Sequence, residues 1–139
     1  MHTEILCGAD RMGELVENML VGAMSAEAAL SYFRRTPNKA VITGGDRVDI
    51  QLAALETSTR CLVLTGKLYP SPVVLNRADE LSVPVLLTDL DTLHAIEVVD
   101  RFMGRSRVQQ PQKIKRFTAM LDDHLRFPLL YERLGIQVK

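Results

Sequence analysis

What the 139-residue sequence lacks excludes several classes of protein. Its 17 basic and 17 acidic residues balance, whereas nucleic-acid-binding domains usually carry a basic excess. No apolar run approaches the roughly 20 residues that a transmembrane helix needs. The first residues do not form a basic segment followed by an apolar one, so we expect no signal peptide. These absences predict a cytoplasmic protein that binds neither nucleic acid nor membrane.

Cysteine is scarce and follows no pattern. Cys7 and Cys61 are the two cysteines of the chain, and no C-x-x-C spacing occurs. Two thiols without a motif fit a reducing compartment, in which each acts as a small buried apolar residue. The sequence leaves a disulfide between them open.

Motifs for catalysis, cofactors and metals are also missing. Neither the phosphate loop G-x-x-x-x-G-K-[ST] nor the dinucleotide pattern G-x-G-x-x-G occurs, and no G-x-S-x-G elbow is present. The three histidines lie far apart and have no metal-ligand spacing. Asp89 and Asp91 could hold a cation through their carboxylates, but we favour a role in capping the helix that follows them. We therefore predict no catalytic residue, no cofactor, no metal site and no enzyme activity.

What the sequence does contain is an alternation of short apolar runs and helical patterns. The runs are continuous and rich in β-branched residues, which is typical of parallel strands covered on both faces by helices. We therefore predict the α/β class, with a three-layer α/β/α fold and a mostly parallel sheet of about five strands. Pro84 lies inside its run, so that strand is either an edge strand or begins after Pro84. The expected strands are 3–7, 18–23, 40–42, 61–64 and 83–87, and the expected helices are 26–35, 46–56, 71–80 and 92–103.

The last part of the chain has a different pattern. Gly104 stands where a helix-terminating glycine is expected, and the polar stretch "GRSRVQQPQ" follows it. Beyond this linker, Ile114, Phe117, Leu121 and Leu125 share one face at helical spacing. The sequence thus predicts an α/β domain over 1–104 and a helical extension over 105–139. This extension packs either on the domain or on a partner subunit.

The densest chemistry lies in "VITGGDRVDI" and in "LTGK". Both stretches follow predicted strands, and ligands of open α/β sheets bind where parallel strands end. In one interpretation, Arg47 and Lys67 face an anionic or nucleotide-like ligand at this edge. In the other, the two glycines form a tight turn with positive φ and Arg47 pairs with Asp89 or Asp91. The candidate ligand-binding residues are Thr43, Gly44, Gly45, Asp46, Arg47, Thr65, Gly66 and Lys67.

Asp46 is the expected N-cap of the helix after the glycine pair. A carboxylate there occupies the free N–H groups and the positive end of the helix dipole, so a phosphate seated directly on that helix is disfavoured. Asp49, three residues on, makes the segment look like a variant capping box.

The stretch from Asn18 to Met103 strongly resembles the DRTGG domain, above all in "VITGGDRVDIQLAALE" together with "CLVLTG". That domain occurs between the P-loop region and the catalytic domain of long phosphate acetyltransferases, and alongside CBS domains in regulated inorganic pyrophosphatases. The letters of its name fall on Asp46-Arg47 and on Thr65-Gly66. Lys67 stands where the final glycine of the name is expected.

The resemblance implies a fold similar to the amino-terminal domain of HPr kinase/phosphorylase. It also implies a stand-alone, non-catalytic regulatory or assembly module, which we expect to self-associate as a homodimer. One alternative is a sensor that binds a nucleotide or phosphometabolite near Arg47 and Thr65. The possible binding partners are thus another enzyme or a small anionic ligand. The other is an unrecognised enzyme, which no catalytic set in the sequence favours.

Overall fold

The computed structural model describes residues 3–103 and 111–124. The chain forms two compact units, Met1–Arg105 and Ser106–Lys139. The second unit contains one described helix, α5, at Pro111–His124. Gly104 and the expected last turn near 129–134 lie outside the described residues.

The first unit contains a sheet of five strands. They are β1 (Thr3–Cys7), β2 (Asn18–Val21), β3 (Lys39–Gly44), β4 (Thr59–Thr65) and β5 (Val85–Thr88). Their order in the sheet is β1-β5-β4-β3-β2. The strands β2 to β5 run parallel to one another, whereas β1 is antiparallel to β5. The expected mostly parallel sheet is therefore confirmed.

Helices cover both faces of this sheet, which confirms the three-layer α/β/α fold. The larger core joins one sheet face to α1, α2 and α3, and a smaller core joins the other face to α4. A short 3-10 turn at Ala9–Arg11 precedes β2. The helices are α1 (Ala26–Arg35), α2 (Val48–Leu55), α3 (Pro72–Glu80) and α4 (Thr92–Met103).

The middle residues of β3 and β4 are all apolar because alternate side chains enter different cores. In β4, Leu62 and Leu64 pack in the larger core, whereas Val63 lies in the smaller one with Ile42. Burying each such side chain contributes about 1.5–3 kcal/mol. A strand with a solvent-exposed face would alternate apolar and polar residues instead.

Two sequence expectations about local structure are resolved by this fold. The strand β5 begins after Pro84 and is central rather than an edge strand. The expected N-cap Asp46 is wrong, because Arg47 occupies that position and α2 begins at Val48. The helix begins later than expected because a tight turn precedes it. The Arg47 N–H donates to the Gly44 carbonyl at 3.1 Å, and Gly45 and Asp46 lie within this turn.

The two cysteines are free and half-buried. Cys7 packs against the larger core and Cys61 against the smaller one, so the disulfide that the sequence left open does not form. Burial raises the pKa of the Cys61 thiol to about 12 and also raises the pKa of Cys7. Both thiols therefore behave as apolar residues at neutral pH.

Candidate functional site

The loops that carry the predicted site residues meet at the carboxyl edge of the sheet. The Gly45 N–H donates to the Thr65 carbonyl at 3.2 Å and joins the loop after β3 to the end of β4. The Lys67 N–H donates to the Thr88 carbonyl at 2.9 Å and joins the loop after β4 to the end of β5. Parallel strand order thus brings together residues that are more than 40 positions apart.

The threonine hydroxyls at this edge bond to neighbouring strands and loops. The Thr43 hydroxyl donates to the Gly22 carbonyl at 3.0 Å. The Thr65 hydroxyl lies 3.3 Å from the Thr43 carbonyl and 2.8 Å from the Thr92 hydroxyl. Because both side chains are buried and hydrogen-bonded, their role in this structure is to tie adjacent segments together.

Gly45 is required for space, and neither glycine of the pair is required for positive φ. Neither Gly44 nor Gly45 has positive φ, which contradicts the turn geometry expected from sequence. A Cβ on Gly45 would overlap the backbone carbonyl of Leu68. The buried Gln51 amide then donates to the carbonyls of Gly44 and Gly45 at 2.8 and 3.0 Å. Close packing and this amide fix the corner between β3 and α2.

Arg47 is held by its own helix and by the loop after β2. Its Nε and Nη2 donate to the two carboxylate oxygens of Asp49 at 3.1 and 3.2 Å, and Nη2 also donates to the Met24 carbonyl at 2.9 Å. The expected pairing with Asp89 or Asp91 is wrong, because Asp49 is near enough to form a bidentate pair. The hydrogen bonds from Arg47 lower the pKa of Asp49.

Asp91 caps α4, as expected. Its Oδ1 accepts from the His94 N–H at 2.9 Å, and its Oδ2 lies 2.7 Å from His94 Nδ1. This contact raises the pKa of His94 and lowers that of Asp91. Among the residues that the structure describes, no three His, Cys, Asp or Glu side chains are grouped so that they could hold a metal ion.

A cleft of about 250 Å³ opens beside these loops. Glu4, Lys67, Leu87, Thr88 and Asp89 line it. Sequence reasoning included Lys67 in the site but missed Glu4. The first residues of β1 reach this edge because β1 is antiparallel, with Thr3 opposite Thr88. Nothing in the apolar pattern of β1 distinguishes an antiparallel strand from a parallel one.

Lys67 has a backbone conformation that is unusual for lysine. Its φ is +56°, in the left-handed region, and the preceding Gly66 has φ of +77°. The side chain projects from an exposed turn, and in the described part of the chain no carboxylate lies within 4 Å of its ammonium. The position is the one where the sequence pattern led us to expect glycine.

A buried lysine at the opposite edge of the sheet was also missed. Lys39 is fully buried, and its ammonium donates to the Thr57 hydroxyl at 2.8 Å and to the Ser58 carbonyl at 3.1 Å. The ammonium also lies 5.7 Å from the centre of the Phe33 ring. Burial lowers the pKa of Lys39 from 10.5 to about 8. Sequence offers no signal for this, because a lysine before an apolar run normally remains in solvent.

No helix within residues 3–103 or 111–124 is both long and apolar enough to cross a membrane.

Comparison with known families identifies one matching family model, which is described as the DRTGG domain and covers residues 1–102. The match begins before Asn18, where the sequence resemblance was expected to start. It therefore includes all five strands of the sheet, from β1 to β5, and most of α4.

Similar proteins include two phosphate acetyltransferases. The protein from Synechocystis sp. is 30% identical over 127 residues, which cover 78% of this chain and 18% of the relative. The protein from Nitratidesulfovibrio vulgaris is 28% identical over 145 residues, which cover 96% of this chain and 20% of the relative. The chain thus spans about a fifth of the length of these enzymes.

A solved structure is also similar to this chain. It contains the CBS and DRTGG domains of the regulatory region of Clostridium perfringens pyrophosphatase, complexed with the activator diadenosine tetraphosphate. Its TM-score is 0.52 at 28% sequence identity, with 57% of this chain and 33% of that chain covered.

Proposed function

The chain belongs to the DRTGG domain family, and from this membership we propose that it is a cytoplasmic regulatory module without catalytic activity of its own. The observation that carries the proposal is the family match over residues 1–102. The similar structure supports it, because there a DRTGG domain is part of a region described as regulatory. The purified chain should show neither phosphate acetyltransferase nor pyrophosphatase activity. Turnover that survives repurification and disappears in a point variant of this chain would contradict the proposal.

Self-association is part of the proposed function, and the surface of α5 supports it. Ile114 and Phe117 lie on one face of this helix and are 47% and 53% exposed. Exposed apolar side chains at helical spacing are typical of helices that pack against another surface. A second copy of the chain is the simplest partner for such a helix, because two-fold dimers repeat the same contact twice.

The charge distribution also favours association between copies. Residues 1–100 carry eight basic and fourteen acidic side chains, a net charge of −6, whereas residues 101–139 carry nine basic and three acidic side chains, a net charge of +6. Opposite net charges on two segments allow one copy to attract another, although the whole chain is neutral.

Sedimentation equilibrium of the full chain tests self-association. The wild type should be dimeric at micromolar concentration, and Phe117→Asp should shift it towards monomer. Ala119→Asp is the matched control, because it adds the same charge to an exposed position on the opposite side of the helix. A wild-type chain that stays monomeric at high micromolar concentration would remove self-association from the proposal. Equal effects of both substitutions would remove α5 from the interface.

A second candidate function is a nucleotide sensor at the carboxyl edge, near Arg47 and Thr65. It is favoured by the similar regulatory region, which was crystallised with diadenosine tetraphosphate as its activator. Arg47 is the guanidinium at this edge, and its side chain is 36% exposed. A nucleotide that binds only the folded chain, at 100 times its dissociation constant, stabilises the chain by about 2.7 kcal/mol.

Thermal denaturation with and without diadenosine tetraphosphate tests this candidate. The midpoint should rise in the wild type and should not rise in Arg47→Ala. Arg77→Ala is the control, because Arg77 also forms an exposed ion pair, with Glu80 on α3. An unchanged midpoint of the wild type at millimolar nucleotide would contradict binding of this ligand.

A further inference from the structure

The cleft beside Lys67 combines one positive and two negative side chains within a small volume. The basic residue is Lys67, the acidic residues are Glu4 and Asp89, and the buried Leu87 is the apolar residue of the lining. The volume of about 250 Å³ lies below the range of about 300–1,000 Å³ that is usual for pockets that enclose drug-sized ligands. A ligand enclosed here must therefore be compact.

The charged groups of the cleft retain capacity for a ligand. Glu4 accepts the Tyr69 hydroxyl through Oε2 at 2.7 Å, and Asp89 accepts the Thr88 hydroxyl through Oδ1 at 3.3 Å. Within the described residues, the second oxygen of each carboxylate has no hydrogen-bond partner. The Lys67 ammonium likewise forms no ion pair there, although both carboxylates line the same cleft.

The backbone at Lys67 gives a separate reason to attribute a role to its side chain. A left-handed conformation is strained for a residue with a Cβ, whereas glycine adopts it freely. The turn therefore does not need lysine, and glycine is the residue that the family's name places here. Strain that is retained at an exposed, charged position is a reason to test that side chain for a function.

The sign of the lining charges decides which ligand fits. A phosphate dianion would be attracted by one ammonium and repelled by two carboxylates, so the sum of these charges is unfavourable for it. A simple cation would be attracted by the two carboxylates and repelled by the ammonium. A zwitterion can place its carboxylate on Lys67 and its ammonium between Glu4 and Asp89, so that it satisfies all three groups.

We propose that this cleft binds a compact zwitterion with the size and charge pattern of a free α-amino acid. The ligand carboxylate contacts the Lys67 ammonium, the ligand ammonium contacts Glu4 and Asp89, and the apolar part lies against Leu87. The inference goes beyond the proposed regulatory function and does not depend on self-association. It also differs from the nucleotide candidate, which involves Arg47 and an anionic ligand.

The test is an NMR titration of the full-length, ¹⁵N-labelled chain with L-alanine, propionate and ethylammonium at constant ionic strength. Propionate and ethylammonium each keep one charge of alanine and a similar apolar part. Alanine should perturb the backbone amides of Glu4, Lys67 and Asp89, with an affinity at least tenfold tighter than either single-charge probe. Equal affinity for alanine and propionate, no saturable shifts at tens of millimolar alanine, or tighter binding of inorganic phosphate at these amides would overturn the proposal.

Two variants show whether Lys67 is responsible. Lys67→Gly should weaken alanine binding at least tenfold while the chain stays folded, since glycine suits this backbone. Ser82→Gly is the matched control, because Ser82 also has positive φ, at +54°, and lies in the turn between α3 and β5. It should leave the affinity unchanged. Undiminished binding by Lys67→Gly would overturn the proposal even if the wild type binds alanine.

Discussion

Replacing the buried Lys39 by methionine should stabilise the chain at neutral pH. The pKa of Lys39 falls from 10.5 to about 8 because the folded chain holds its ammonium away from water. At 1.36 kcal/mol per pKa unit, the charged form is disfavoured by about 3 kcal/mol relative to an exposed lysine. Methionine keeps most of the volume and removes the charge. Lost hydrogen bonds to Thr57 and Ser58 offset part of the gain, so we expect a net stabilisation of about 1–3 kcal/mol.

The pH dependence isolates the charge from these packing effects. Between pH 8 and pH 10.5 the unfolded chain binds the Lys39 proton more tightly than the folded chain does. The contribution of Lys39 to stability therefore rises with pH in this window, by up to about 3 kcal/mol in total. Its destabilising effect is full below pH 8 and vanishes above pH 10.5. The advantage of Lys39→Met over the wild type should shrink accordingly.

Urea denaturation followed by circular dichroism, at several values from pH 7 to pH 10.5, measures this difference. The other titratable groups are common to both chains and cancel in the comparison. A difference in the free energy of unfolding that stays constant with pH would refute the reasoning. So would a methionine variant that is less stable at pH 7, because the hydrogen bonds would then outweigh the cost of burying the charge.

Three further results are expected. Gly45→Ala should destabilise the fold by several kcal/mol in urea denaturation, since its Cβ overlaps the Leu68 carbonyl and backbone must move; unchanged stability would contradict this packing. Thr65→Val should cost about 0.5–1.5 kcal/mol by the same measurement, because the half-buried Thr92 hydroxyl loses its 2.8 Å partner, and a neutral effect would mean that this bond contributes little. Raising NaCl from 0.1 to 1 M shortens the Debye length from about 10 to 3 Å, so sedimentation should show weaker association; stronger association would identify apolar burial as its main cause.

The sequence predicted the fold well because each element has a strong local signal. The helices at 26–35 and 92–103 match the observed bounds, since capping residues and apolar periodicity agree there. The strands differ by a few residues at their ends, where polar residues such as Lys39 and Thr65 continue the pairing. Whether a strand continues through such polar residues depends on the neighbouring strand. The local sequence pattern holds no information about that neighbour.

The site was predicted less completely because its contacts depend on topology. Arg47 was placed at the correct edge, but its partners are Asp49 and the Met24 carbonyl. Glu4 was missed because an antiparallel β1 brings the start of the chain to the end of β5. The apolar pattern after Asp46 predicts an N-cap at that residue, whereas a hydrogen-bonded turn makes the helix begin later.

Most of the residues that carry the family's name form contacts that hold neighbouring segments of the fold together. Arg47 joins α2 to the loop after β2, and Thr65 joins β3 to the start of α4. Gly66 supplies positive φ, and its N–H donates to the Leu90 carbonyl at 2.8 Å. Position 67 differs, because its backbone fits glycine and the residue lines the cleft. A substitution there changes the charge of the cleft without altering a bond that holds the sheet edge together. We therefore expect the residue at this position to determine which ligand a DRTGG domain of this shape accepts.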